Sequence, residues 1–546
     1  MAFRSRNDRN YYFVGIQGKR ALLLWMSNDR AFHQPREKIL AELPFTCRPG
    51  NRLQATITAS GTTIRAILAD ETGQSVTLEA DDDALGAGKI ALLADVPTIF
   101  HRVRVSMPEA DYRRFREKKQ AEDAELARLH DANPKPILWK KISTHGFGVG
   151  RNLRFGDLDG DGQIDVLICQ MRHHGYDLRD VGCLTAMSFD GKVLWRNGTP
   201  DKMEIPVTND VGVQIHDIDG DGRNEVIYCR DFEIVVVDGA TGKTKYKTPT
   251  PKTDLPGSRI SRIMGDSLFF CDLRGTGRDA DVILKDRYTR IWALNDRLET
   301  RWTAKCTTGH YPFAYDLDGD GRDELAVGYS LFDGEGKRIW TLDKTLKDHS
   351  DGVAVLRFAK DQSPRIFWAA SDEGALFLDK HGKILKHHRL GHVQNPAIAN
   401  FRDDLPGLEI VTINFWWSQG ILNFFDAEGN PYHDCEPAQY GSMCLPINWT
   451  GRTEEFFVLS ANVGEGGMFD GHGRRVVVFP DDGHPDMCNA VLDIAGDCRD
   501  EVVVWDPYEI WVYTQDDSPK QGKLYRPRRN PLYNSSNYQA TVSLPE

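Results

Sequence analysis

The sequence predicts an all-β protein, an N-terminal jelly-roll-like β-sandwich followed by a β-propeller of eight blades, or seven if the unit near residue 259 divides differently. Three observations carry this. Short alternating apolar strands between residues 11 and 105 are separated by Gly, Asn and Asp turns, which is the pattern of a sandwich. From about residue 137 onward the chain repeats with a period of roughly 40 to 50 residues, the length of a four-stranded blade. The acidic stretch Asp217-Ile218-Asp219-Gly220-Asp221-Gly222-Arg223-Asn224-Glu225 has close relatives at 157–165 and 316–324 and a frayed one at 493–501.

The sandwich is assigned to residues 1–106, with strands read at Tyr11–Ile16, Ala21–Trp25, Leu53–Thr58, Thr63–Leu68, Lys89–Leu93 and His101–Val105. The order of these strands resembles the latter part of a concanavalin-like jelly-roll, short at its N-terminus. Residues 107–136 form the linker: Glu109, Asp111, Arg113, Arg114, Arg116, Glu117, Lys118, Lys119 and Glu122 spell a charged helix supported by i,i+4 pairs, and Asn133-Pro134-Lys135-Pro136 breaks it. The propeller covers 137–546, with units starting near 145, 208, 259, 307, 348, 391, 440 and 483. Their closing turns recur as Phe189-Asp190-Gly191-Lys192, Phe332-Asp333-Gly334-Glu335-Gly336-Lys337 and Phe469-Asp470-Gly471-His472-Gly473-Arg474. Ring closure is expected from the tail, 525–546, packing back onto the repeat.

Composition narrows the function. A net charge of −12 argues against nucleic acid, which needs a basic face. No apolar run of about 20 residues is present to span a membrane. Ten scattered cysteines without a CxxC pair suggest buried thiols in a reducing compartment. A cytoplasmic setting is expected, or a secreted one if the natural N-terminus lies upstream.

The acidic loops have the spacing of a hard-cation site, with oxygens at alternate positions, a glycine for the turn and a closing acid. Asp157, Asp159, Asp161 and Asp165, then Asp217, Asp219, Asp221 and Glu225, then Asp316, Asp318, Asp320 and Glu324, are the expected Ca²⁺ ligands, and the ions are expected to staple blades.

Chemistry is sought elsewhere. His145, His310, His349, His392 and His484 each stand just before the first strand of a unit, so propeller geometry would bring them to one channel mouth. A ligand face, structural hydrogen bonds and a metal cage are all open readings of such a ring. His216, just ahead of Asp217, breaks the pattern. Arg151-Asn152 follows the first lead-in and Tyr311 follows His310. Leu284-Lys285-Asp286-Arg287-Tyr288-Thr289-Arg290 reads as a strand whose alternation would send Lys285 and Arg287 to one side, Tyr288 and Arg290 to the other. Trp416-Trp417 is either a sugar-stacking platform or core.

The repeat region resembles the calcium-dependent rhamnogalacturonan lyases of polysaccharide lyase family eleven, as a divergent relative. The carriers are the Gly-Asp-Leu-Asp-Gly-Asp-Gly and His-Asp-Ile-Asp-Gly-Asp-Gly loops, Asp286-Arg287-Tyr288-Thr289-Arg290, Gly309-His310, Asp333-Gly334-Glu335-Gly336-Lys337 and Leu405-Pro406-Gly407-Leu408-Glu409. The resemblance implies β-elimination at a uronic acid of a rhamnose-containing acidic plant or algal glycan. That reaction needs a neutralised carboxylate, a base for the C5 proton and an acid for the leaving oxygen. Arg287 or Arg290 would hold the carboxylate, His310 or His349 would be the base, and Tyr311 or Tyr288 the acid. His145, Arg151, Asn152, Lys285, His392, His484 and Trp416 would bind substrate. The alternatives are a lyase or hydrolase on another acidic glycan, such as rhamnosyl-glucuronate or ulvan, and a non-catalytic binding propeller.

Overall fold

The computed structural model describes residues 1–27, 36–150, 152–174, 178–201, 211–253, 260–414, 420–436, 444–530 and 538–545. Arg151 and Trp416-Trp417 lie outside the described residues. Among the described residues the chain is nearly all β, with one long helix.

The N-terminal unit consists of two antiparallel sheets packed face to face. The strands are β1 (Ala2–Asn7), β2 (Asn10–Gln17), β3 (Arg20–Ser27), β4 (Arg36–Pro44), β5 (Leu53–Ser60), β6 (Thr63–Asp70), β7 (Ser75–Asp81) and β8 (Lys89–Ala91). The first sheet runs β4-β3-β2-β1-β8 and the second β5-β6-β7. Alternation sends Tyr12, Val14, Leu23, Ile64, Ala66, Leu68 and Leu78 inward to one shared core. Tyr12 keeps its hydroxyl satisfied there by donating to Asp82 at 2.6 Å, and Lys38 holds the same carboxylate at 2.8 Å. The strand expected at His101–Val105 does not form; residues 92–108 carry no regular structure, and Val96, Ile99, Val103 and Val105 are exposed. Helix α1 (Glu109–Ala132) buries none of its residues. Its pairs Lys118–Glu122 and Lys119–Asp123 are solvated and contribute little. Its C-terminal end is anchored, with His130 bonded to the Arg475 carbonyl at 2.7 Å.

From residue 136 onward, four-stranded antiparallel units follow one another in chain order, at 152–198, 213–249, 268–305, 313–341, 352–388, 393–435 and 445–477. We call these sheets I to VII. Sheet VIII comprises 488–515 and takes its fourth strand from β9 (Pro136–Ser143), which pairs antiparallel with Glu509–Gln515. In most neighbouring pairs the first strands touch: I with II, II with III, IV with V, V with VI, VI with VII and VII with VIII. First strands such as Gly352–Leu356 and Val393–Ala399 are buried, whereas fourth strands such as Thr300–Lys305 alternate between exposed and half-buried.

The fourth strand of sheet VIII is therefore β9 rather than a strand of the tail. The tail goes to sheet VI, where Thr541–Leu544 lies parallel to Val393–Ala399 and pairs with Arg528–Asn530. A buried charge cluster fixes it. Arg529 donates to Glu455 at 2.8 Å and to Asp500, and Ser543 donates to the other Glu455 oxygen. Burial opposes the Arg529 charge, but the two carboxylates outweigh it and raise its pKa. Asp286–Arg290 also differs from expectation. It is a turn between Asp281–Lys285 and Arg290–Leu294, because the Asp286 carboxylate accepts the backbone N–H groups of Thr289 at 2.7 Å and Arg290 at 2.8 Å.

Removing the clamp cation leaves two buried carboxylates unpaired, so Arg529→Ala is expected to cost ~3–5 kcal/mol. A urea midpoint unchanged from the wild type would contradict this.

Candidate functional site

Sheets IV, V and VI bring three of the five lead-in histidines together. Gly309, at φ +60°, sits so close that an added Cβ would meet the Ser350 carbonyl at 2.3 Å, and the next residue donates from His310 N to that carbonyl at 2.9 Å. This seats the His310 loop against the start of sheet V. His349 is held through its carbonyl by the Tyr329 hydroxyl at 3.0 Å. His392 immediately precedes Val393–Ala399, whose first residue bonds the Ser371 carbonyl at 3.1 Å.

The three rings meet at Asp351, whose side chain is 0% exposed. Its carboxylate lies 3.3 Å from His310 Nε2, 3.5 Å from His349 Nε2 and 3.1 Å from His392 Nε2. The opposite ring nitrogens of two of them are anchored as well: His349 Nδ1 to Asp348 at 2.8 Å and His392 Nδ1 to Asp372 at 2.6 Å. Tyr538 stacks on His310 with centroids 3.8 Å apart. Tyr288 packs on both His310 and His349, at 5.8 and 5.0 Å. Arg287 lies over the Tyr288 ring and pairs with Asp266 at 3.3 Å.

The electrostatics divide the rings. Burial pushes His310 well below the ordinary imidazole range, and Asp351 offsets only part of that. Burial also opposes charge on His349 and His392, but there the carboxylates win. Asp348 and Asp351 raise His349 to about 10, and Asp351 and Asp372 raise His392 to about 9. Asp351 is penalised by burial yet held well below the usual carboxylate range by His349 and His392. Near neutral pH the cluster therefore combines one neutral imidazole with two imidazolium ions.

The same atoms could hold a metal. Four ligands at about 2.0–2.1 Å in a tetrahedron lie roughly 3.3 Å apart, and the Asp351 distances of 3.1–3.5 Å match that spacing. Asp348 and Asp372 stand where carboxylates orient ligating imidazoles from behind. Binding an ion there would displace the imidazolium protons.

The remaining expected residues do not join this cluster. His145 is exposed and stacks on Tyr508. The His484 ring is buried, bonded to Asp482 and the Ala461 carbonyl, both at 2.8 Å. Tyr311 is buried, with its hydroxyl donating to the Leu268 carbonyl and accepting from Gln214, both at 3.0 Å. Lys285 is fully buried against Asp266 and the carbonyls of Asp286 and Arg287. Arg290 lies over Trp292, Asn152 contacts the Met171 sulfur, and His216 stacks on Phe270. Asp348, Asp351, Asp372 and Tyr538 were not anticipated. The one local signal for the carboxylates was the run Asp348-His349-Ser350-Asp351.

The acidic loops form as separate sites on the turns between first and second strands. In each, the first aspartate accepts two glycine N–H groups, as Asp157 does from Gly160 at 2.7 Å and Gly162 at 2.9 Å. Asp217 and Asp316 repeat this. The closing acid reaches back to the backbone, Glu324 accepting from Leu317 N at 2.8 Å. Ligand oxygens converge in the sets Asp157-Asp159-Asp165, Asp217-Asp219-Glu225 and Asp316-Asp318-Asp320, all within 4.8 Å of one another. Burial raises Asp165 to about 6 and Glu324 to about 7, and the neighbouring acids add to it. Lys245 enters the second loop, bonding Asp219 at 2.5 Å and Glu225 at 2.8 Å. In sheet III an arginine enters the corresponding loop: Arg274 forms an ion pair with Asp281 at 2.9 Å.

Replacing Asp351 with Asn removes the charge that sustains both imidazolium ions. Ring NMR of the metal-free protein is expected to show His349 and His392 protonated through pH 8 in the wild type, and both titrating at lower pH in Asp351→Asn, where only Asp348 and Asp372 still oppose burial. Their folded pKa values lie above the unfolded one, so this stabilisation is complete below about pH 6.5. It is lost as pH rises through about 9 to about 10.

No protein-family model matches the chain. Rhamnogalacturonan endolyase YesW of Bacillus subtilis (strain 168) is 23% identical over 456 residues, 69% of this chain and 69% of that protein. Rhamnogalacturonan exolyase YesX of the same organism is 24% identical over 259 residues, which is 37% of this chain and only 41% of the exolyase. In fold, the crystal structure of rhamnogalacturonan lyase YesW matches with a TM-score of 0.56 at 17% identity, covering 99% of this chain and 97% of that one. The structure of exotype lyase YesX matches with a TM-score of 0.55 at 15% identity, covering 99% and 96%. The resemblance of the repeat region is thus matched in sequence over 69% of the chain and in fold over nearly all of it, and the chain is a divergent relative of the rhamnogalacturonan lyases.

Proposed function

We propose that this protein is a polysaccharide lyase that cleaves a rhamnose- and uronate-containing glycan of the rhamnogalacturonan type by β-elimination. We further propose that sheets I to VIII are the blades of a β-propeller stapled by Ca²⁺ in the acidic loops. The reading rests chiefly on one observation. In a chain that shares its whole fold with such lyases, three histidines from three successive sheets converge on Asp351 beside Tyr288 and Arg287.

The chemistry follows from their protonation states. The His349 imidazolium and the Arg287 guanidinium supply positive charge for the uronate carboxylate, which acidifies C5 and stabilises the enolate-like charge. His310 is the neutral imidazole of the set and is assigned as the base, with Asp351 placed to support the imidazolium that forms. Tyr288, whose pKa burial raises, keeps its proton and is assigned as the acid for the leaving oxygen. His392 and Asp372 position Asp351 and its partners. A divalent ion held by His310, His349 and Asp351 would supply the same positive charge when bound.

The wild type is expected to generate the ultraviolet absorbance of unsaturated uronate from rhamnogalacturonan in preference to gum arabic or ulvan. Tyr288→Phe should lower kcat about 10²–10⁴-fold. Activity surviving in the double variant His310→Ala/His349→Ala would remove the assignment.

For the loops, chelation is expected to lower the unfolding temperature, and added Ca²⁺ to restore it. Asp165 and Glu324 have metal-free pKa values raised to about 6 and about 7. The metal-free protein therefore loses stability as pH rises through that window, and calcium should stabilise more at pH 8 than at pH 5. A calcium response that is equal at both pH values, or absent, would count against the assignment.

A further inference from the structure

A cavity of about 280 Å³ lies where the β1–β2 hairpin of the N-terminal unit meets sheet VI. The hairpin tip is docked there by Arg6, whose guanidinium forks onto Asp434 on the outer strand Pro431–Cys435. With Asp434 so engaged, the remaining lining is cationic and amide-rich: Arg9, Asn7 and Asn10 from the hairpin, Arg389 and Asn423 from the sheets, and the ring of Tyr432. Arg389 is steadied by Glu373 at 2.9 Å, and Asn7 turns its side-chain oxygen to the Arg9 backbone N–H at 2.9 Å. Two guanidinium groups, several amides and one aromatic face are the parts that bind a carboxylate, hydroxyls and a sugar ring.

Its position links it to the histidine cluster. Arg389 and Leu390 line the cavity and His392 follows two residues on. Asp372, which bonds His392 at 2.6 Å, also acts electrostatically on Arg9.

We propose that this cavity is a uronate subsite, in which Arg9 of the N-terminal unit and Arg389 of the repeat region grip the carboxylate of a sugar next to the one being cleaved. This rests on the glycan reading given above, and it makes the N-terminal unit a participant in substrate binding. The cavity falls just below the usual 300–1,000 Å³ of small-molecule sites, a size suited to one sugar residue rather than a chain segment.

The test uses the full chain, titrated calorimetrically with galacturonate and with its uncharged counterpart galactose. Galacturonate is expected to bind more tightly than galactose, and Arg9→Gln and Arg389→Gln each to weaken it at least tenfold while raising the KM for the polymer. Arg65→Gln, on the exposed face of β6 and paired with Glu79, serves as the control that should change neither. Two substitutions on opposite walls keep the test decisive if one of them disturbs folding. Galacturonate binding unchanged in both variants overturns the subsite even if the protein is a lyase. Arginine-dependent binding without elimination from any glycan overturns the lyase reading and leaves the subsite standing.

Discussion

The contact on which the site depends is one buried carboxylate meeting three imidazoles. Asp351 could not remain ionised at 0% exposure alone, and it joins Asp348 and Asp372 in keeping His349 and His392 charged at their depth. Each partner sits on a different sheet or its lead-in, so the electrostatics also fix how sheets IV, V and VI are placed against one another. The tail adds to this by bringing Tyr538 onto the His310 ring while Thr541–Leu544 extends sheet VI. Chemistry and architecture are coupled through the same few atoms.

The acidic loops do a different job with similar residues. Their carboxylates are spent on backbone N–H groups. Sheets II and III show the protein solving the same charge problem with a side chain, since Lys245 and Arg274 place their own cations among the acids. Loops stiffened in this way hold the first and second strands in register, and the first strands are what carry the lead-in residues inward.

How much of this could be read beforehand depended on whether the signal was local. The acidic loops were legible because alternate carboxylates and glycines within nine residues determine their own geometry. The histidines were half legible. His310, His349 and His392 stand three residues or fewer ahead of their first strands and reach the cluster, whereas His145 and His484 stand further back and are taken up by Tyr508 and by Asp482. Asp351 was marked only by its nearness to His349, and Asp372 not at all among 80 acidic residues. Only the meeting of three sheets does. The alternation from Asp286 to Arg290 has the pattern of a strand, but the Asp286 cap makes it a turn, and Lys285 is a core cation rather than a ligand contact.

The strand Pro136–Ser143 carries a consequence for synthesis. It leaves the ribosome before any of the repeat is made, and its partner Glu509–Gln515 emerges only after sheets I to VII. Through that interval its hydrogen-bonding edge stays open, as does the edge of the last sheet once that forms. A pairing so distant in sequence is slow to form, and an open strand edge invites pairing with another chain. The nascent protein thus carries this hazard throughout synthesis of the repeat, and the act that completes sheet VIII is also the one that removes it.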